Sequence, residues 1–230
     1  MMKYVIWGLL CPLFISMNAY AGVNKIYDPY VHEGETEVEF WGVHSFDDEN
    51  VNKVKFAVAH GMTSFWLLEG VVEYEQETGN KGNISAVEVE NKFQLTEQGK
   101  YWLDVGVLTE LEKSTDGDVW EFKAGPIFQK QISRWILTTN FLLERKFGSD
   151  NTDHRVDVLG NAQLKYPYSP ELQPAIEYYG DRETHSIGPV LLGKHLIGST
   201  PMKWELGALA GLNDAGPDFT LRWLVEWEFY

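Results

Sequence analysis

From Glu35 to Tyr230 the sequence alternates apolar and polar residues with a period of two, in one segment after another, separated by stretches rich in Gly, Asn, Asp and Ser. Successive side chains of a β-strand point to opposite sides, so this period marks strands with two unlike faces and excludes an α-helical fold. Twelve segments are legible: 36–43, 53–59, 65–75, 85–95, 101–111, 120–128, 134–144, 155–166, 172–178, 186–194, 202–212 and 218–230. In 101–111, Tyr101, Leu103, Val105, Val107 and Leu111 share one face, while Asp104 and Glu110 take the other. In 218–230, Phe219, Leu221, Trp223, Val225, Trp227 and Phe229 oppose Thr220, Arg222, Glu226 and Glu228.

Alternation does not say which face is wet. A soluble barrel turns its apolar face inward, and a membrane barrel inverts this. Three features favour inversion. Rings cluster near segment ends on the apolar face, among them Phe40, Tyr74, Trp120, Trp135, Tyr166, Trp204 and Trp227, as aromatic girdles at a membrane interface require. Segments of this length match what a tilted strand needs to cross hydrocarbon. The spacers also alternate: "HSFDDENVN", "QETGNKGN", "EKSTDGD", "KFGSDNTDH", "GDRET" and "NDAGPD" are mostly longer and more polar than "HGMTS", "TEQGK", "QKQIS", "YPYSPE" and "HLIGSTP". Long outer loops and short inner turns are expected of such barrels, as is an even strand count. The expected fold is all-β, a closed antiparallel up-and-down transmembrane β-barrel of about 12 strands. Pro126, Pro174 and Pro189 are then expected at bulges or strand ends, because a closed sheet has no edge to absorb a missing N–H.

Residues 1–21, "MMKYVIWGLLCPLFISMNAYA", have one charge, Lys3, then an apolar run and the small-residue triplet Ala19-Tyr20-Ala21, the order of a cleaved secretory signal peptide. Cys11, the sole cysteine, lies within it, which excludes a disulfide-stapled domain. Residues 22–34 then read as a periplasmic N-terminal segment and 35–230 as the barrel. With 19 Lys and Arg against 34 Asp and Glu, the chain lacks the basic surface that nucleic acid demands.

The final stretch, "LRWLVEWEFY", resembles the C-terminal strand signal of Gram-negative outer-membrane β-barrels. The resemblance implies that Trp227, Phe229 and Tyr230 are read by the barrel-assembly machinery, and that the protein lies in the outer membrane among its lipid and lipopolysaccharide. The aromatic face of this strand ends on Phe229, so Tyr230 has the opposite parity. More loosely, 122–148 and 212–229 resemble segments of small putative-transporter barrels grouped with the phenol meta-cleavage pathway.

The polar face supplies the candidate lumen: Glu37, Glu39, Lys53, Lys55, Glu73, Glu88, Glu90, Lys92, Asp104, Glu121, Lys123, Arg155, Asp157, Lys203, Glu205, Arg222, Glu226 and Glu228. Such rings of charge can line an acid-biased, narrow or partly plugged channel for small solutes. The same acids and bases can instead pair across strands and fill a non-conducting barrel. Some outer-membrane barrels are lipid-modifying enzymes that place a His and a Ser together on a lipid-facing strand. Here the candidates are the adjacent pairs His44-Ser45 and His185-Ser186, whose members point to opposite faces. His60, His154 and His195 fall in expected turns, and His32 near the N-terminus. No P-loop, dinucleotide fingerprint or zinc-ligand spacing is present, and His32 with its acidic neighbours reads as an ordinary solvated histidine sooner than as a weak cation ligand.

Overall fold

The computed structural model describes residues 23–47 and 50–230. The expected signal peptide and Cys11 lie outside the described residues. Twelve strands follow one another: β1 Thr36–Phe46, β2 Val51–Thr63, β3 Trp66–Glu77, β4 Asn83–Gln94, β5 Asp104–Ser114, β6 Trp120–Ile132, β7 Trp135–Phe147, β8 Val156–Lys165, β9 Gln173–Gly180, β10 His185–Ile197, β11 Thr200–Gly211 and β12 Phe219–Phe229. Each pairs antiparallel with its sequence neighbours, and β12 closes on β1 from Thr36 opposite Phe229 to Phe46 opposite Phe219. The expected twelve-stranded closed antiparallel barrel is what forms. Closure leaves no strand edge whose N–H and C=O groups would face lipid without partners.

The parity of the alternation sorts the side chains. Phe40, Phe56, Val72, Val89, Leu111, Phe122, Phe141, Leu143, Val158, Ile176, Leu206 and Trp223 stand exposed on the outside, while Glu39, Lys55, Glu69, Glu88, Glu90, Glu110, Asn140, Glu177 and Arg222 are buried within. An apolar belt on every strand far exceeds the patches a water-facing monomer carries, so hydrocarbon is the medium that suits this surface. Rings pair across strands near both rims. Trp66 with Phe93 and Trp135 with Tyr166 lie at one rim, and Phe46 with Phe219 and Trp120 with Phe147 at the other, with centroids 5.0–6.4 Å apart.

Several expected boundaries shift. Most strands run past their alternating cores, so that His60 and His195 lie on β2 and β10 and not in turns. β5 starts at Asp104, and the 95–103 connection before it is longer than "TEQGK" suggests. At that rim 64–65, 133–134 and 198–199 are two-residue turns, whereas 95–103 and 166–172 are not. Of Pro126, Pro174 and Pro189, only Pro174 sits near a strand end. Pro126 and Pro189 lie inside β6 and β10, where the ladders to β7 and β11 lapse between Ala124 and Ile127 and between Ile187 and Val190. The register is the same on both sides of each gap, so each proline costs pairing in one ladder without inserting a residue.

Candidate functional site

Residues 23–34, expected as a periplasmic N-terminal segment, pack against the inner wall of the barrel. From Thr36 the chain turns back into the barrel at the rim carrying the 64–65 turn and runs inside it toward the opposite end. Two glycines permit this course. Gly34, in the left-handed region at φ 79°, donates its N–H to the Gly61 carbonyl at 2.8 Å. A side chain at Gly61 would place its Cβ 1.9 Å from the carbonyl oxygen of His32. Deeper in, Pro29 is fully buried, and a Cβ on Gly106 of β5 would stand 3.0 Å from the Pro29 ring.

The barrel wall satisfies the inner segment's polar groups, as any backbone withdrawn from water requires. Near the rim, the Val31 N–H donates to Gln94 Oε1 at 2.8 Å. The Tyr30 hydroxyl donates to Asp104 at 2.7 Å and accepts from Gln129 at 2.8 Å. At mid-depth the Asn140 side chain brackets Tyr27, accepting from its N–H at 2.9 Å and donating to its carbonyl at 2.8 Å. This copies with one side chain the pairing that a neighbouring strand would offer. The Tyr27 ring packs on Leu108, Ile127 and Leu142, and its hydroxyl donates to Glu90 at 3.0 Å. Lys25 lies between Glu39 of β1, at 2.8 Å, and Glu69 of β3, at 2.9 Å, with all three side chains at least nine-tenths buried. Farther along, Val23 clusters with Tyr179 and Leu209, and Ile26 and Val43 pack against that cluster.

Most sequence-derived lumen residues do face inward, and the structure joins them in groups. Lys55 lies between Glu73 at 3.3 Å and Glu88 at 3.0 Å, and Lys53 reaches Glu75 at 3.0 Å and Glu73 at 3.6 Å. Lys123 links Glu121 at 2.5 Å to Glu110 at 3.4 Å. Lys203 bridges Glu226 at 2.7 Å and Glu228 at 2.8 Å. Across β9, β11 and β12, Arg222 grips both oxygens of Glu177 and one of Glu205, while Gln163 and Tyr179 also donate to Glu177. Asp157 of β8 pairs in register with Glu144 of β7 on the inner face. Lys92 stands 3.8 Å from Asp28 of the inner segment.

Arg155 is the exception. It lies exposed in the 148–155 outer connection, bound to Asp153 at 2.8 Å and Glu183 at 3.2 Å. Its hydrogen bonds hold the Asp153 carboxyl down at about 2. The strand begins one residue later than the alternation suggests, so Arg155 belongs to the loop and not to the lumen.

Sequence reasoning missed Lys25 and Tyr27 as members of the site, whereas the parity of the alternation already turns Glu69, Glu110, Asn140 and Glu177 inward. A signal for the first two is present. Val23, Ile26, Tyr27, Tyr30 and Val31 crowd around a single lysine, an apolar content that a solvated tail does not need.

A cavity of about 230 Å³ remains beside the inner segment, lined from every strand except β2. Its lining mixes Lys92, Lys165, Lys194 and Lys203 with Asp28, Glu37, Glu39, Glu205 and Glu226. Neither His–Ser candidate is assembled. His44 bonds Asn52 across the hairpin, and His185 shares a 2.8 Å bond with the Tyr178 hydroxyl.

No family model and no curated protein matches the chain, so the looser likeness to the phenol meta-cleavage barrels finds no counterpart there. Solved structures do match. The crystal structure of the COG4313 outer membrane channel from Pseudomonas putida F1 superposes with a TM-score of 0.66 at 14% identity, covering 90% of this chain and 100% of that one. The KdgM porin in complex with disordered oligogalacturonate gives 0.57 at 10% identity, covering 84% and 98%. At such identities the likeness is one of fold, that of outer-membrane β-barrels.

Proposed function

We propose that this protein is an exported outer-membrane channel for small polar solutes, held in a low-conductance state by residues 23–34. The observation that carries the reading is the cavity of about 230 Å³ with charged lining that persists beside the inner segment. Water-excluding structural barrels have little use for such a space, and channels need it. Inward carboxylates outnumber inward bases, which favours cations over anions. The structural neighbours that are channels or porins support the same class.

A second reading, a non-conducting barrel, has its own support in the buried ion pairs, from Lys55 with Glu73 and Glu88 to Arg222 with Glu177 and Glu205. Planar-bilayer recordings separate the two. The refolded protein is expected to pass small ion currents whose reversal potential in a salt gradient shows cation preference, weakened by Glu226→Gln. Absence of current from both the full chain and a chain lacking 23–33 would overturn the channel reading.

The barrel-assembly machinery is the proposed partner of β12, with outer-membrane lipid and lipopolysaccharide around the belt. Phe229 faces outward opposite Thr36, whereas the Tyr230 hydroxyl turns to Glu35. Phe229→Ala is therefore expected to slow assembly in cells more than Tyr230→Ala. The reverse order would assign the signal to Tyr230, and full assembly of both would remove it.

A further inference from the structure

On the wall formed by β4 and β5, three carboxylates converge with too few partners. Glu90 stands directly opposite Glu110 in the ladder, and Glu88 is two residues from Glu90 on the same inner face. Like charges placed opposite each other on one face of a sheet repel. Yet Glu88, Glu90 and Glu110 are 5%, 2% and 2% exposed, too dry for solvent to screen them. One carboxylate oxygen from each lies within 4.8 Å of the other two.

The oxygens themselves point to an occupant. Glu88 Oε1, Glu90 Oε2 and both oxygens of Glu110 accept no hydrogen bond among the described residues. The surrounding donors are engaged at the cluster's rim. Lys55 donates to the other oxygen of Glu88 at 3.0 Å and is shared with Glu73. Lys123 approaches Glu110 Oε2 only to 3.4 Å and sits closer to Glu121, at 2.5 Å. The Tyr27 hydroxyl takes the other oxygen of Glu90. Buried acceptors without donors are rare in folded proteins, and each calls for a cation, a proton or an ordered water.

Calcium fits this geometry. It takes carboxylate oxygens at about 2.3–2.6 Å, so two ligands on opposite sides of the ion stand roughly 4.6–5.2 Å apart. Magnesium, at about 2.0–2.1 Å, demands a tighter octahedron and gives up its waters reluctantly. Glu90 also lines the cavity described above, which offers an entry path and room for water to complete the coordination shell. We propose that Glu88, Glu90 and Glu110 form a calcium site in the barrel wall, next to the inner segment that Tyr27 ties to Glu90. The site stands whether or not the lumen conducts.

The competing account is that the three carboxyls share protons and bind no metal. Tb³⁺ luminescence, sensitised by nearby aromatic rings, tests the two in chelator-treated full-length protein refolded in detergent. One saturable site is expected, displaced by Ca²⁺ at least tenfold more effectively than by Mg²⁺. Glu110→Gln, which removes charge from the residue with both oxygens unpartnered and relieves repulsion in the apo barrel, is expected to weaken Ca²⁺ displacement at least tenfold. The Glu88→Gln, Glu90→Gln, Glu110→Gln triple variant is expected to abolish it. Should the triple variant not fold, Glu110→Gln alone decides. Unchanged affinity in that variant, or no saturable binding to the unaltered chain, would overturn the proposal in favour of shared protons.

Discussion

Lys25→Ala is expected to raise the open probability of the barrel in planar bilayers by about two orders of magnitude. The lysine is the inner segment's one buried cation between Glu39 and Glu69. Removing one member of a buried ion pair costs roughly 3–5 kcal/mol, because the remaining charges are left uncompensated. Here two carboxylates remain, and the barrel can relieve them by expelling the segment and admitting water. That relaxation places the effect near the lower end of the range. Each 1.4 kcal/mol is a factor of about ten in a population, so about 3 kcal/mol shifts the ratio of released to seated segment by about a hundredfold. Adding Glu39→Gln and Glu69→Gln to Lys25→Ala removes the uncompensated charge and is expected to restore part of the seated population. With Glu39→Gln and Glu69→Gln taken together as one change and measured without Lys25→Ala as well, a thermodynamic cycle gives the coupling energy between the lysine and the two carboxylates. Unchanged current in Lys25→Ala, from protein shown to be folded by heat-dependent gel mobility, would mean that the aromatic contacts of Tyr27 hold the segment unaided.

The second large effect concerns the barrel itself. Arg222→Met is expected to destabilise the folded barrel by roughly 3–5 kcal/mol, measured by denaturant unfolding in detergent micelles. Glu177 is fully buried and takes two nitrogens of Arg222, at 2.6 Å and 2.5 Å. Without the guanidinium it would keep only Gln163 and Tyr179 as donors. Arg222→Lys is expected to recover little, since an ammonium cannot reproduce a planar two-nitrogen grip and reach Glu205 as well. Arg222→Met with Glu177→Gln is expected to regain most of the loss, because an apolar side chain beside a neutral amide leaves no buried charge unpaired. If the double variant is no more stable than Arg222→Met, the cost lies in lost packing and not in the orphaned carboxylate.

These two sites show different degrees of legibility. Arg222 was readable as inward, because its neighbours Leu221 and Trp223 fall on the apolar parity of β12. Which residue it pairs with was not. Glu177 lies on β9, the strand with the vaguest alternation. What brings it to Arg222 is the relative stagger of β9, β10, β11 and β12, where Glu177 stands opposite Gly188 and Arg222 opposite Gly207. Arg155 failed for the opposite reason, since parity continues into a loop without saying where the ladder stops. Lys25 carried the least signal, because a segment that does not itself alternate has no period to reveal what it packs against.

By itself, then, the sequence determined the strand series, the face each side chain takes and the inversion that makes lipid the outer solvent. All three follow from a local rule, the two-residue repeat, applied to residues whose polarity leaves one choice of side. The tertiary structure decided what fills the inside. Closing the sheet brings strands far apart in sequence to within reach of one another and of residues 23–34. Pairing among buried charges depends on those distances across the lumen, which no local period encodes.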